Sequence, residues 1–285
     1  MYVARNDTYC GDAVLRLITS LKCLIAQASR TSISYEIVIV DWNSHEPLIT
    51  HDYFKASLGK ADIKFVVVPP DVSADVGIRN GVSEVHGFNL GMRVSRGTWV
   101  IRMDQDLLFG RRVFTYLLER ASNLDPNEIW WCSRRESHPV YMPRGMDGWF
   151  DMHKHPDEFV DANYVHLPLW TRRTYDDGEG AVGLFAMARE TWHRLGGYHE
   201  SLTGWGHMEV ELGKQIAHFP ELKWVNLHVP LDCAIVHIWH LEHRRVSAST
   251  RPMNSESFEE RTGSNVDGTW GMVNYAGRIS VARTV

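Results

Sequence analysis

Two aspartates one residue apart, Asp104 and Asp106, follow the short apolar run Trp99-Val100-Ile101. A buried strand ending in two such carboxylates sets hard oxygen donors at the margin of a sheet. Mg2+ and Mn2+ prefer these ligands and keep positions open for a substrate's phosphate oxygens. A cation held this way neutralises the charge that builds on a departing diphosphate. Three more strand-like runs finish in or carry polar groups: Asp7 follows Met1 to Ala4, Asp41 follows Glu36 to Val40, and His237 lies in the run 232 to 239. Ligands of open α/β sheets bind beyond the carboxyl ends of the strands. These four ends are therefore expected to converge.

The elements that position them alternate strand and helix. Residues 12 to 28 place Val14, Leu17, Ile18, Leu21, Leu24, Ile25 and Ala28 on one helical stripe. Glu36 to Val40 and Phe65 to Val68 are continuous apolar runs, the mark of strands covered on both faces. A helix is predicted over 83 to 95 with Ser83 as its cap, then a strand at 99 to 101, a helix near 110 to 121 and a strand near 129 to 133. This repetition predicts an α/β fold with an open, mostly parallel sheet flanked by helices. Residues 134 to 180 have no clean period and read as a long functional loop, in which Arg172 and Arg173 are candidate diphosphate clamps. Order returns with a strand at 182 to 188, a helix at 189 to 195 stopped by Gly196-Gly197, a helix from about 207 to 218 and a last strand at 232 to 239. Beyond residue 246 the chain reads as a wrapping tail. The expected organisation is a core over 1–245, with a nucleotide-binding half at 1–133 and an acceptor-binding half at 134–245, and a tail at 246–285.

Composition limits the classes further. The chain has 285 residues, 44% hydrophobic and 23% charged, enough apolar content for a buried core and too much for a disordered chain. The net charge of −5 argues against a non-specific nucleic-acid binder. Cys10, Cys23, Cys132 and Cys233 show no CxxC spacing, so a zinc module is not expected; all four are read as reduced, with Cys23 and Cys233 as small core residues. No apolar run approaches the roughly 20 residues of a membrane helix, and the first residues lack a signal-peptide layout. A soluble, cytoplasmic chain is the expectation.

The stretch from Asn89-Leu-Gly91 through Ser95-Arg96-Gly97 to Asp104-Gln-Asp106 resembles the helix, strand and DxD segment of GT-A glycosyltransferases, family 2 above all, with Ser95 where alanine is usual. The EIVIVDWNS segment is similar to the family's second strand, and MYVARND to its first. The segment from Gly183 to Leu212, containing Gly196-Gly197-Tyr-His-Glu200 and Gly204-Trp205-Gly206-His207-Met208-Glu209, resembles the acceptor segment of polypeptide N-acetylgalactosaminyltransferases and β-1,4-galactosyltransferases. The resemblance implies a metal-dependent transfer of a sugar from a nucleotide-sugar donor, UDP- or GDP-linked, to a hydroxyl of a glycan or glycoconjugate. It implies Asp104, Asp106 and His237 as ligands of Mn2+ or Mg2+, with His240 or His243 as alternatives to His237. It also implies Arg5, Asp7, Asp41, Asn89 and Asp104 at the nucleotide, Trp205, Gly206 and His207 at the acceptor, and Glu209 as the inverting base. Met208 stands where the family carries a first acid, and Asp176 or Asp177 are acidic alternatives to Glu209. Two rival readings differ in class. A nucleotidyltransferase would carry a glycine-rich phosphate loop bearing a lysine or arginine after its first strand, whereas residues 6 to 12 offer one glycine and no lysine. A degenerate, non-catalytic glycan-binding relative draws its support from Met208.

Overall fold

The computed structural model describes residues 1–7, 11–57, 61–79, 81–138, 152–170, 182–203, 206, 208–240 and 268–283. Unbroken apolar runs make the first sheet. Strands β1 (Tyr2–Ala4), β2 (Ile37–Trp42) and β3 (Ile63–Val68) lie parallel, with Tyr2 opposite Ile39 and Ile37 opposite Ile63. All six residues of β2 are buried, as a parallel strand covered on both faces requires. Ile37 and Ile39 pack on one side with Leu17 and Leu21; Val38, Val40 and Trp42 pack on the other with Phe88 and Leu90. Burying each such side chain stabilises the fold by roughly 1.5–3 kcal/mol.

The second sheet comprises β4 (Trp99–Arg102), β5 (Leu107–Phe109), β6 (Glu128–Glu136), β7 (Leu169–Trp170), β8 (Val182–Ala188), β9 (Lys223–Asn226) and β10 (Ile235–His237). Its order is β4-β8-β6-β10-β5, and β7 and β9 also pair with β6. Whereas the first sheet has the expected parallel run, this one is mixed: β6 is parallel to β9 and β10 but antiparallel to β7 and β8. Apolar runs report burial on both faces and carry no information about strand direction. Strand β11 (Ser280–Arg283) closes the first sheet by lying antiparallel on β3.

Direction decides where chemistry can gather. Strand β4 is antiparallel to β8, β8 to β6, and β6 is parallel to β10, so β4, β6 and β10 point the same way. The Met1 amine donates to Ile101 O (2.9 Å) and Met103 N donates to Met1 O (3.1 Å), the pattern of a parallel pair. The carboxyl ends of β1, β2, β4, β6 and β10 therefore share one side.

Helices α1 (Ala13–Ala28), α2 (Asp52–Ser57), α3 (Pro70–Asp75), α4 (Glu84–Val94) and α5 (Arg111–Arg120) fill the first half. Ser83 caps α4 as expected, its Oγ accepting from His86 N at 3.4 Å. Helix α1 lies on β5, where Ser20 Oγ donates to Leu107 O (2.5 Å). The Asn89-x-Gly91 pair has a packing role. A Cβ at Gly91 would meet the Met1 side chain and Val40, so glycine lets α4 lie close on β1 and β2. Gly197, which follows the helix Arg189–Leu195, has φ +71 and sits against Asn89; both the backbone angle and the space favour glycine there.

The expected division at 133/134 falls inside β6, the strand that pairs with β7, β8, β9 and β10. Of the expected tail, residues 268–283 pack onto the core: Trp270 is buried beneath the Arg93 guanidinium (4.3 Å from its ring), and Gly271 N donates to Glu200 Oε1 (2.6 Å). Among the described residues no helix is long and apolar enough to cross a membrane.

Candidate active site and metal centre

Pairing of β5 with β10 brings the first two chemical groups together. His237 lies opposite Leu107, and Ile238 N donates to Asp106 O at 2.8 Å. His237 Nε2 is then 3.5 Å from Asp106 Oδ1, and His240 Nε2 is 3.4 Å from Asp106 Oδ2. Ser137 fixes the turn between the histidines: its Oγ donates to His237 O (2.9 Å) and accepts from Trp239 N (3.0 Å). One ligand atom from each of Asp106, His237 and His240 lies within 4.8 Å of the others, the sole such acid–histidine cluster among the described residues. From α1, buried Arg16 approaches Asp106 Oδ2 (3.7 Å). Burial alone would raise the Asp106 carboxyl, but the two imidazoles override it and hold it well below the usual range. Burial lowers His240, whereas His237, despite its burial, is raised by Asp106 and Glu136.

A line of ion pairs runs from this cluster across three strand ends. His237 Nδ1 contacts Glu136 Oε2 (2.7 Å), and Glu136 Oε1 accepts from Arg134 Nε (3.2 Å). Arg134 Nη1 donates to Asp104 Oδ2 (3.0 Å); Asp104 Oδ1 meets Arg102 Nη2 (3.0 Å), which also holds Glu209 Oε1 (3.1 Å). Glu209 stands in the first turn of the helix Met208–Ile216. Burial raises its carboxyl above the ordinary range, and Arg102 offsets this only in part. The neighbouring Met208 turns into the hydrophobic core.

Several expected site residues take different places. Asp104 is not among the clustered donors; its two oxygens pair with Arg134 and Arg102. Asn89, expected at the nucleotide, is fully buried and spends its carboxamide on the fold, donating to Tyr198 O (2.8 Å) and Glu200 Oε1 (3.0 Å) and accepting from Tyr198 N (2.8 Å). Asp41, expected at the base, is also fully buried; its oxygens accept from Ser44 Oγ and from Leu48 N (2.6 Å), which shapes the 43–48 loop. Arg5 and Asp7 lie beside that loop. They pair at 3.5 Å, and Arg5 Nε donates to Asn43 O (3.0 Å). Gly206 has φ +81. Trp205, His207, His243, Arg172, Arg173, Asp176 and Asp177 lie outside the described residues. Arg102, Arg134 and Glu136 were not legible as candidates, although the rule that flags strand ends covers them: Arg134 and Glu136 share one face at the end of β6, and Arg102 ends β4.

Burial pushes Asp41 from 3.8 up to about 6, against the pull of its two hydrogen bonds and Arg5. The folded state thus keeps this proton to higher pH than the unfolded chain does. Stability from Asp41 is complete below the unfolded value and falls as pH rises towards the folded one. Asn offers an acceptor to Leu48 N and a donor to Ser44 Oγ. Asp41→Asn is accordingly expected to fold and to lose on the order of 2 kcal/mol of the stability decline between about pH 4 and pH 6. Urea unfolding at those two pH values measures this, and an unchanged decline would contradict the assignment.

No protein-family model matches the chain, and no curated protein matches it by sequence. Solved structures do match in fold. A structure of GalNAc-T7 with UDP, GalNAc and Mn2+ superposes with a TM-score of 0.51 at 18% identity, covering 85% of this chain; this chain spans only 43% of that one. A Drosophila β1,4-galactosyltransferase 7 in complex with manganese, UDP-Gal and xylobiose superposes with a TM-score of 0.50 at 12% identity, covering 94% of this chain and 82% of its own. The architecture, two α/β sheets flanked by helices with strand ends gathered on one side, is the GT-A fold.

Proposed function

We propose that the protein is a divalent-metal-dependent glycosyltransferase that moves a sugar from a UDP-linked donor to a hydroxyl of a glycan acceptor. The carrying observation is the unbroken line from the Asp106–His237–His240 cluster to Glu209, all at strand or helix ends on one side of the GT-A sheet. The two fold neighbours bind UDP or UDP-Gal with manganese, which favours a uridine donor. One carboxylate oxygen and two imidazole nitrogens form a mixed donor set that suits Mn2+ better than Mg2+, which favours all-oxygen surroundings. A cation bound there would neutralise charge on the diphosphate of the leaving nucleotide.

The chain's own groups account for the rest. Glu209 accepts the proton of the acceptor hydroxyl as its oxygen bonds to the anomeric carbon and the bond to the diphosphate breaks on the opposite face, so the configuration inverts. Its raised proton affinity suits a base working near neutrality. Arg102 holds Glu209 in place and stays charged between two carboxylates. Asp104 and Arg134 act as positioning residues that tie Arg102 to Glu136. Arg5 and Asp7, beside the loop that Asp41 shapes, face the nucleotide.

Glu136 orients His237 through Nδ1 and leaves Nε2 for the cation. Glu136→Gln is expected to weaken Mn2+ binding by ~10- to 100-fold, the usual loss for a residue supporting a metal-bound histidine; calorimetric titration with Mn2+ checks it. The function itself is tested by thermal unfolding with UDP-, GDP-, CMP- and dTDP-sugars. A UDP-sugar should raise Tm only with Mn2+ present, by mass action on the folded state, and turnover should release UDP and stop in excess EDTA. Release of pyrophosphate instead would assign a nucleotidyltransferase. Binding of glycans without turnover of any donor would assign a non-catalytic relative.

A further inference from the structure

Cys132, in β6, and Cys233, just before β10, are both fully buried, with sulfurs 3.8 Å apart. The register explains the meeting. Strands β6 and β10 set Val236 opposite Arg135 and His237 opposite Glu136; the same offset carried back three residues sets Cys233 beside Cys132. Neighbouring strands run about 4.7–4.9 Å apart, within the Cα separations of roughly 4.4–6.8 Å that a disulfide spans.

Two further features single out Cys233. Asp232 and Cys233 have φ of +49 and +46, backbone that side-chain-bearing residues rarely adopt, and this turn delivers the Cys233 thiol to its partner. His228 Nδ1 lies 2.9 Å from Cys233 Sγ, placed to take the thiol proton. The Cys233 thiol is held below its ordinary value, chiefly by its contact with Cys132, while that contact and burial raise Cys132. With His228 beside it, Cys233 is the thiol placed to form the attacking thiolate.

We propose that Cys132 and Cys233 are a dithiol–disulfide couple, oxidised by a small disulfide of the glutathione type as the chain folds, before both sulfurs are buried. Cys233 passes its proton to His228 and attacks one sulfur of the oxidant, forming a mixed disulfide and expelling one thiolate, which takes a proton. Cys132 then attacks Cys233 Sγ, giving its proton to the departing small thiolate, so that the internal S–S bond forms, the mixed disulfide breaks and a second small thiol leaves. Two cysteine thiols are oxidised and one disulfide is reduced to two thiols, so electrons and protons balance. The link would join the hub strand β6 to the segment leading into β10.

The full chain is unfolded in urea, refolded across a series of glutathione redox buffers, alkylated under denaturing conditions and mapped by mass spectrometry. The expected result is a fall from four free thiols to two, with one cross-linked peptide pair joining Cys132 to Cys233, and recovery of all four in dithiothreitol. His228→Ala should slow bond formation by on the order of tenfold without changing its end point. Four thiols at every ratio, a stable glutathione adduct on Cys233, or a link through Cys10 or Cys23 would overturn the couple. An unchanged rate in His228→Ala would overturn the role of that histidine.

Discussion

Glu209→Gln is expected to lower kcat by ~10²- to 10⁴-fold, the usual contribution of a positioned general base, while leaving Mn2+- and donor-dependent stabilisation intact. The substitution keeps shape and leaves an amide oxygen to accept from Arg102 Nη2, which holds Glu209 Oε1 at 3.1 Å, so the start of the helix stays in place. What it removes is the capacity to take a proton. The pH profile gives a second readout. Burial raises the Glu209 carboxyl and Arg102 only partly restores it. Since the base must be unprotonated, wild-type kcat falls as pH drops through that raised value; the variant should lose this limb. A variant with kcat within threefold of wild type and the same acid limb would remove Glu209 from the reaction.

Asp106→Asn should eliminate the stabilisation by Mn2+ and reduce transfer by about 10³-fold, several kcal/mol of barrier. Asp106 is the single carboxylate of the cluster, and its two oxygens face His237 Nε2 and His240 Nε2. A neutral amide removes the negative charge that would draw a cation to a cluster also approached by Arg16. Circular dichroism and thermal unfolding without metal separate a lost site from a lost fold. Mn2+ still raising Tm in a folded Asp106→Asn, with transfer within tenfold of wild type, would refute the cluster as the metal centre. The contrast with Glu209→Gln is informative, because one variant loses binding of the metal and the other only the proton transfer.

Much of the fold was readable because its central strands are long apolar runs. Ile37–Trp42 and Val182–Ala188 stand out from their neighbours. Strands β9 and β11 do not: only Trp224 and Val225 of Lys223–Asn226 are partly buried, and Ser280–Arg283 is largely exposed, so neither makes a sustained apolar run. Strand β5 has only three residues and follows directly on the DxD segment, so no period could develop.

Asp106, His237 and His240, which the structure brings together, were visible in the sequence as polar residues at the margins of apolar strands. The partners that hold Asp104, Asn89 and Asp41 were not. A ligand-binding carboxylate and one already satisfied by the fold look alike until their partners are known. Those partners are distant in the chain: Arg134 is 30 residues from Asp104, and Tyr198 is 109 residues from Asn89.

The seating of Ser280–Arg283 along β3 has a consequence for biosynthesis. During elongation β3 offers a bare row of amides and carbonyls until residue 283 has left the ribosome, and such a row recruits foreign strands. Nascent chains halted before residue 280 should therefore self-associate, as sedimentation of truncated products would reveal, whereas release of the finished strand seals that flank against its neighbours.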